Sequence, residues 1–131
     1  GASDGIGIET ARRLHALGAH VVLPVRNVTK AAATVERTII ANSKEEDAAA
    51  RVTISHMDLS QLSSVKKFVG EFHKKGLPLD MLINNAGLWP IHHALTPDGL
   101  QESFQVNHLS HFLLTNLLLG DLKKTAEKRD R

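Results

Sequence analysis

Short β-rich runs alternate with amphipathic helical segments along this chain, and that alternation predicts an α/β fold, a doubly wound parallel sheet with helices on both faces. Two further observations agree with it. The run HVVLPV, residues 20–25, is apolar enough to be buried on both faces, as parallel strands are. Glycines at Gly1, Gly5 and Gly7 lead straight into a helix, a common start for a βαβ unit. With 131 residues there is room for one core and one domain, 1–131.

Each element rests on local pattern. In GASDGIGIETARRLHALG the residues Ile6, Ala11, Leu14 and Leu17 predict the apolar stripe of a first helix, and Gly18 supplies a left-handed end to it. HVVLPV is the next strand, with Pro24 suited to a strand end because it cannot donate to a ladder. A second helix is expected from Thr29 as N-cap to about Ala41, its core contacts being Val35, Ile39 and Ile40. NSKEEDAAA, 42–50, reads as an exposed loop, and RVTIS, 51–55, as a strand leading to Met57, Asp58 and Leu59. Ser60 is the expected cap of a helix whose Val65, Phe68, Val69 and Phe72 keep the i, i+3, i+4, i+7 rule until Gly76 and Pro78 stop it. DMLIN, 80–84, is the third expected strand and runs into the turn Asn84-Asn85-Ala86-Gly87. TPDG, 96–99, is expected to open a long helix, Thr96 capping and Pro97 at the first position, with Leu100, Phe104, Leu109, Phe112, Leu113 and Leu117 as its apolar face. The closing KKTAEKRDR reads as a solvated basic end.

Composition removes whole function classes. A net charge of +2 and only 4% aromatic residues argue against nucleic acid as a partner, including through the Lys66, Lys67, Lys74 and Lys75 cluster. With no cysteine there is no disulfide framework, thiolate nucleophile or thiolate metal site. His108 and His111 stand at i and i+3 but lack a carboxylate at metal-ligand spacing, so no metal site is expected. No apolar run reaches the roughly 20 residues that span a bilayer.

Four patterns carry chemistry. Gly1-x-x-x-Gly5-x-Gly7 at a helix start is either a plain glycine-rich turn or a cradle where unpaired amides and the positive end of the helix dipole meet phosphate. At the end of the HVVLPV strand, where a 2′-hydroxyl reader would place an acid, none occurs between Glu9 and Glu36, and Arg26 stands there instead. Arginine is a planar cation suited to a 2′-phosphate, and also an ordinary surface residue. Asn84-Asn85-Ala86-Gly87 comes directly after a predicted strand, so it is a turn or a ligand-side loop at a strand's carboxyl end. Asn107 interrupts an apolar helix beside Phe104, His108, His111 and Phe112, at a cost in helix propensity that an exposed position or a specific role would explain.

Taken in order, GASDGIG, Arg26, Asp58-Leu59, NNAG and FQVNHLSHFLLTNLLL resemble the short-chain dehydrogenase/reductase family over nearly the whole chain, and within it the retinol dehydrogenase and WW-domain oxidoreductase branch. The resemblance implies a Rossmann-type sheet that is incomplete here, its first strand and its C-terminal half lying outside these residues. It also implies site roles. Gly1, Ser3, Asp4, Gly5, Ile6 and Gly7 would form the turn beneath the cofactor phosphates. Arg26 with Asn27 would hold the adenosine 2′-phosphate, and Asp58 with Leu59 would contact the adenine. Asn85, Ala86 and Gly87 would line the cofactor ribose, and Asn107 would be the catalytic Asn that positions a proton-relay water. The implied cofactor is NADP(H) rather than NAD(H), with a small-molecule carbonyl or alcohol as substrate and room for a homo-oligomer in the full-length protein.

The family's Ser and Tyr-x-x-x-Lys fall past Arg131, and the chain contains no tyrosine. His92 and His93, in the loop after NNAG, are more simply surface residues than a substitute acid. Two functions are compatible with this: the cofactor-binding part of an NADP(H)-dependent oxidoreductase, inactive by itself, or a catalytically inactive NADP(H)-binding or regulatory protein of the same fold.

Overall fold

The computed structural model describes residues 1–89 and 93–130, and within these the chain forms two compact units, 1–57 and 58–131. The first holds helix α1 (Gly5–Ala16), strand β1 (Val21–Val25), helix α2 (Val28–Val35), a π-helical segment Glu36–Ile40, a 3₁₀ turn Ala48–Arg51 and strand β2 (Val52–His56). β1 and β2 run parallel in the register Val21 to Val52 through Val25 to His56, with α2 as the crossover. This is the βαβ unit expected from the alternating pattern, and it makes the chain an incomplete α/β domain.

The core of this unit gathers Ala11, Val21, Leu23, Val35 and Ile39, with Ile8, Leu14, Val52 and Ile54 packed against them. Every second residue of β1 is buried, and Pro24 sits inside the strand opposite Ser55 rather than at its end. The face of α1 differs from the expected stripe: Gly7, Ala11 and His15 are buried, whereas Ile6 and Leu17 are 79% and 85% exposed. The i, i+4 line of small residues lets the helix approach closely, and His15 closes it by donating from Nε2 to the Ala48 carbonyl at 2.9 Å. Ala48 is therefore buried, so residues 42–50 are not wholly an exposed loop. Gly18 does end α1, at φ +90°, its amide bonding the His15 carbonyl while Ala19 bonds Leu14. The cap of α2 is Asn27, whose Oδ1 accepts from the Lys30 amide at 2.8 Å, and not Thr29.

The second unit is built from helix α3 (Leu62–Lys75), a short helix α4 (Glu102–Phe104), a π-helical segment Gln105–Leu109 and helix α5 (Ser110–Lys128). Val65, Phe68, Val69 and Phe72 are all buried, as the periodicity of α3 predicts, and α3 packs on α5. Gly76 ends α3 at φ +62°, a left-handed conformation that glycine adopts without steric cost. Ser60 does not cap it. Its amide and hydroxyl both bond Asp58 Oδ1, and the first amide of α3, at Leu62, is taken by Asp98 Oδ2 at 2.8 Å.

Residues 80–84 do not form the expected third strand: they carry no ladder among the described residues, and Met81 and Ile83 are exposed. In the order 3-2-1-4 the neighbour of this segment is the first strand, and no described residue supplies it. TPDG is a turn rather than a helix start, closed by Gly99 N–H to Thr96 O at 2.9 Å, and the helix opens later with Gln101 as cap. Buried Thr96 and Gln105 are joined, Thr96 Oγ1 to Gln105 Oε1 at 2.5 Å, and Gln105 Nε2 reaches out to the exposed Asp98 Oδ2 at 2.7 Å. The buried line after it is Val106, Ser110, Leu114 and Leu118, while Phe104, Phe112 and Leu117 are exposed. The π turn lies between Phe104 and Phe112, and its extra residue rotates the helix that follows it about its axis. The basic end belongs to α5, where Thr125 is buried and accepts the Leu79 amide. Among the described residues no helix is long and apolar enough to cross a membrane.

Candidate functional site

In the first unit the expected phosphate turn and the end of β1 are neighbours. Asp4 is the N-cap of α1; its Oδ1 accepts from the Gly5 amide at 2.9 Å, and its Oδ2 pairs with Lys30 Nζ at 3.0 Å. These contacts hold the Asp4 carboxyl below its ordinary range, the Lys30 hydrogen bond contributing most. Gly5 sits at φ +53° with open space where a side chain would stand, so the turn stays accessible to a ligand. The first-turn amides of Ile6 and Gly7 have no acceptor among the described residues. Ser3 is half-buried and Gly1 exposed.

Arg26 comes directly after β1, is exposed, and takes part in no ion pair among the described residues. A guanidinium without an ion-pair partner among the described residues, beside an open glycine turn with free helix amides, is an arrangement that could hold a phosphate group. Asn27, expected to assist Arg26, spends its Oδ1 on capping α2. Lys30 was absent from the sequence-derived set. Only its place on the first turn of α2, close after Arg26 in the chain, hints at it, and the ion pair with Asp4 needs the fold.

In the second unit three sequence-predicted segments are anchored on one helical stretch. The Leu59 carbonyl accepts from the buried Ser110 hydroxyl at 2.6 Å. Asn84 Nδ2 donates to Thr115 Oγ1 at 3.0 Å. The Asn107 amide clasps the next part of the loop from both sides, with Oδ1 accepting from Leu88 N–H and Nδ2 donating to Leu88 O, each at 2.8 Å. Asp58 closes a small turn with Ser60, and its own amide bonds Ser64 Oγ at 2.9 Å. Asn85 and Gly87 are exposed and Ala86 half-buried. A Cβ on Gly87 would meet only Asn107 Oδ1, at 3.7 Å. His93 is exposed, and His92 lies outside the described residues.

Asn107 therefore works first as a clamp. Leu88 is the partner that sequence reasoning missed, since nothing in a single sequence links two residues 19 apart through one side-chain amide.

Comparison with known proteins gives the family. A family model described as short chain dehydrogenase matches residues 1–129. Human polyprenol dehydrogenase is 42% identical over 126 residues, 96% of this chain and 37% of that protein. Human WW domain-containing oxidoreductase is 42% identical over 129 residues, 98% of this chain and 30% of that one. Among solved structures, a metagenomic short-chain oxidoreductase in complex with NADP superposes with a TM-score of 0.74 at 29% identity, covering 93% of this chain and 53% of that one. The chain spans well under half the length of the curated relatives it matches. With the motifs in order, the βαβ unit formed, and a family model matching almost every residue, the chain belongs to the short-chain dehydrogenase family.

Proposed function

We propose that residues 1–131 are the cofactor-binding part of an oxidoreductase that uses NADP(H), in preference to NAD(H), to interconvert a small-molecule carbonyl and alcohol. The observation that carries the cofactor choice is Arg26: an exposed guanidinium without an ion-pair partner among the described residues, beside the open glycine turn, with no acid between Glu9 and Glu36. When bound, the dinucleotide supplies or accepts the hydride.

The protein's own share is to bind and orient. Gly1, Ser3, Asp4, Gly5, Ile6 and Gly7 shape the phosphate turn and Arg26 takes the 2′-phosphate, while Asn27 caps α2 and Lys30 ties that helix to the turn through Asp4. Asp58 and Leu59 serve the adenine, Asn85, Ala86 and Gly87 the ribose, and Asn107 fixes the loop that carries them. Similarity to an NADP-bound structure supports the reading. The chain has no tyrosine, so these 131 residues hold no phenolic acid for the substrate oxygen and by themselves turn over no carbonyl substrate. The second reading is an NADP(H)-binding or regulatory protein of the same fold, without turnover in the full-length protein.

Titration of the full-length protein with NADPH and NADH tests the proposal. Arg26→Ala weakens NADPH binding by about 1.5–3 kcal/mol, the range for a hydrogen bond to a charged group, and leaves NADH within about twofold. Equal affinities in the unsubstituted protein, or loss of both cofactors alike in the variant, would overturn it. Carbonyl reduction by the full-length protein separates the enzyme from the regulatory reading.

A further inference from the structure

The Asn107 clamp has a second tier. The Leu88 peptide occupies the Asn107 side chain, and the Asn107 main-chain carbonyl is met by another group, His111 Nδ1, at 3.2 Å. A carbonyl only accepts, so Nδ1 must carry the hydrogen and Nε2 the lone pair if the ring is neutral. The contact lies where the helix changes character: Gln105–Leu109 is π-helical and Ser110 begins α5, with the Ser110 amide reaching back five residues to Gln105 O. A π turn disturbs the regular i to i−4 ladder and leaves carbonyls in need of other partners. His111 is half-buried on the first turn of α5, so its ring is held beside the helix rather than sweeping through water. Burial also lowers its pKa, which keeps the ring neutral near pH 7, while the hydrogen bond to Asn107 opposes that shift only in part.

We propose that His111 is a positioning residue: as the Nδ1–H tautomer it donates to the Asn107 carbonyl, fixing the peptide whose side chain clamps Leu88 and the Asn85-Ala86-Gly87 loop. Its kinetic consequence rests on the oxidoreductase reading above. The hydrogen bond itself does not. One side chain fastens the loop to the π segment, and the imidazole four residues on fastens that peptide to α5. A free histidine favours the Nε2–H tautomer, so the opposite tautomer is a signature that mere packing would not produce.

The test uses the full-length protein labelled with ¹⁵N-histidine, its long-range ¹H–¹⁵N ring correlations recorded at pH 7.5, with the His111 signals identified by their loss in His111→Phe. The expected pattern is a protonated Nδ1 and an unprotonated Nε2. An Nε2–H or mixed tautomer overturns the proposal whether or not the protein is an enzyme. With the carbonyl substrate that the full-length protein reduces best, His111→Phe lowers kcat/KM for NADPH about tenfold, whereas His111→Asn, which keeps a donor, recovers most of it. An unchanged kcat/KM in the Phe variant, or no recovery with Asn, also overturns it. If the unsubstituted protein reduces no carbonyl, the function proposed above fails while the tautomer still decides this hydrogen bond.

Discussion

Replacing Asn107 by Leu removes both halves of the clamp on Leu88 with little change in side-chain size. Two neutral hydrogen bonds of 2.8 Å are lost, each contributing about 0.5–1.5 kcal/mol net. Asn107 is exposed and Leu88 half-buried, so water takes over part of the pairing, which puts the loss near the low end at about 1–1.5 kcal/mol in all. Global melting is the wrong assay, because Leu is the better helix former and regains a few tenths of a kcal/mol in the same helix. Amide hydrogen exchange at Leu88 is direct: protection falls roughly five- to twelvefold at RT ln K equivalence, while the Phe72 amide in the α3 core is unchanged. Asn107→Asp sharpens the test. It keeps an oxygen for the Leu88 N–H but loses the donor to Leu88 O, so most of the Leu88 protection survives. The reasoning fails if Leu88 exchange changes less than twofold in the Leu variant, or if Phe72 changes by the same factor.

Three further outcomes rest on the geometry. Gln105→Leu strips a fully buried side chain of its bonds to Thr96 and to the Asp98 carboxylate, and costs about 2–4 kcal/mol, read as a lowered urea midpoint in the full-length protein. Gly76→Ala forces a side chain into the left-handed region and destabilises by about 1–2 kcal/mol in the same measurement. The Glu9 carboxyl is held down from its ordinary 4.5 to about 2, chiefly by hydrogen bonds from Arg12 and then Arg13. A depressed carboxyl stabilises the fold above the unfolded value, and that contribution is lost as pH falls from about 4.5 towards 2. Glu9→Gln therefore flattens stability against pH in that window, and identical acid limbs in the two proteins would refute the assignment.

The sequence by itself determined the βαβ alternation of the first unit, the buried set of α3, the glycines that end α1 and α3, and the glycine turn that opens α1 with Arg26 following β1. All of these rest on local chemistry, namely side-chain period, φ preference, or the absence of an acid from a stretch of chain. It also pointed to Asn107 as a polar intrusion in an apolar helix. Tertiary structure decided the rest, because the deciding contacts join residues far apart in the chain. Asp98 rather than Ser60 bonds the first amide of α3 from 36 residues away. The side chain of Asn107 was legible as unusual but not as a clamp on Leu88, and the π turn that rotates α5 leaves no periodic trace in a sequence read at 3.6 residues per turn. Residues 80–84 have a strand's composition, yet a strand exists only by its hydrogen-bonded neighbour, and that is a property of the sheet rather than of the segment.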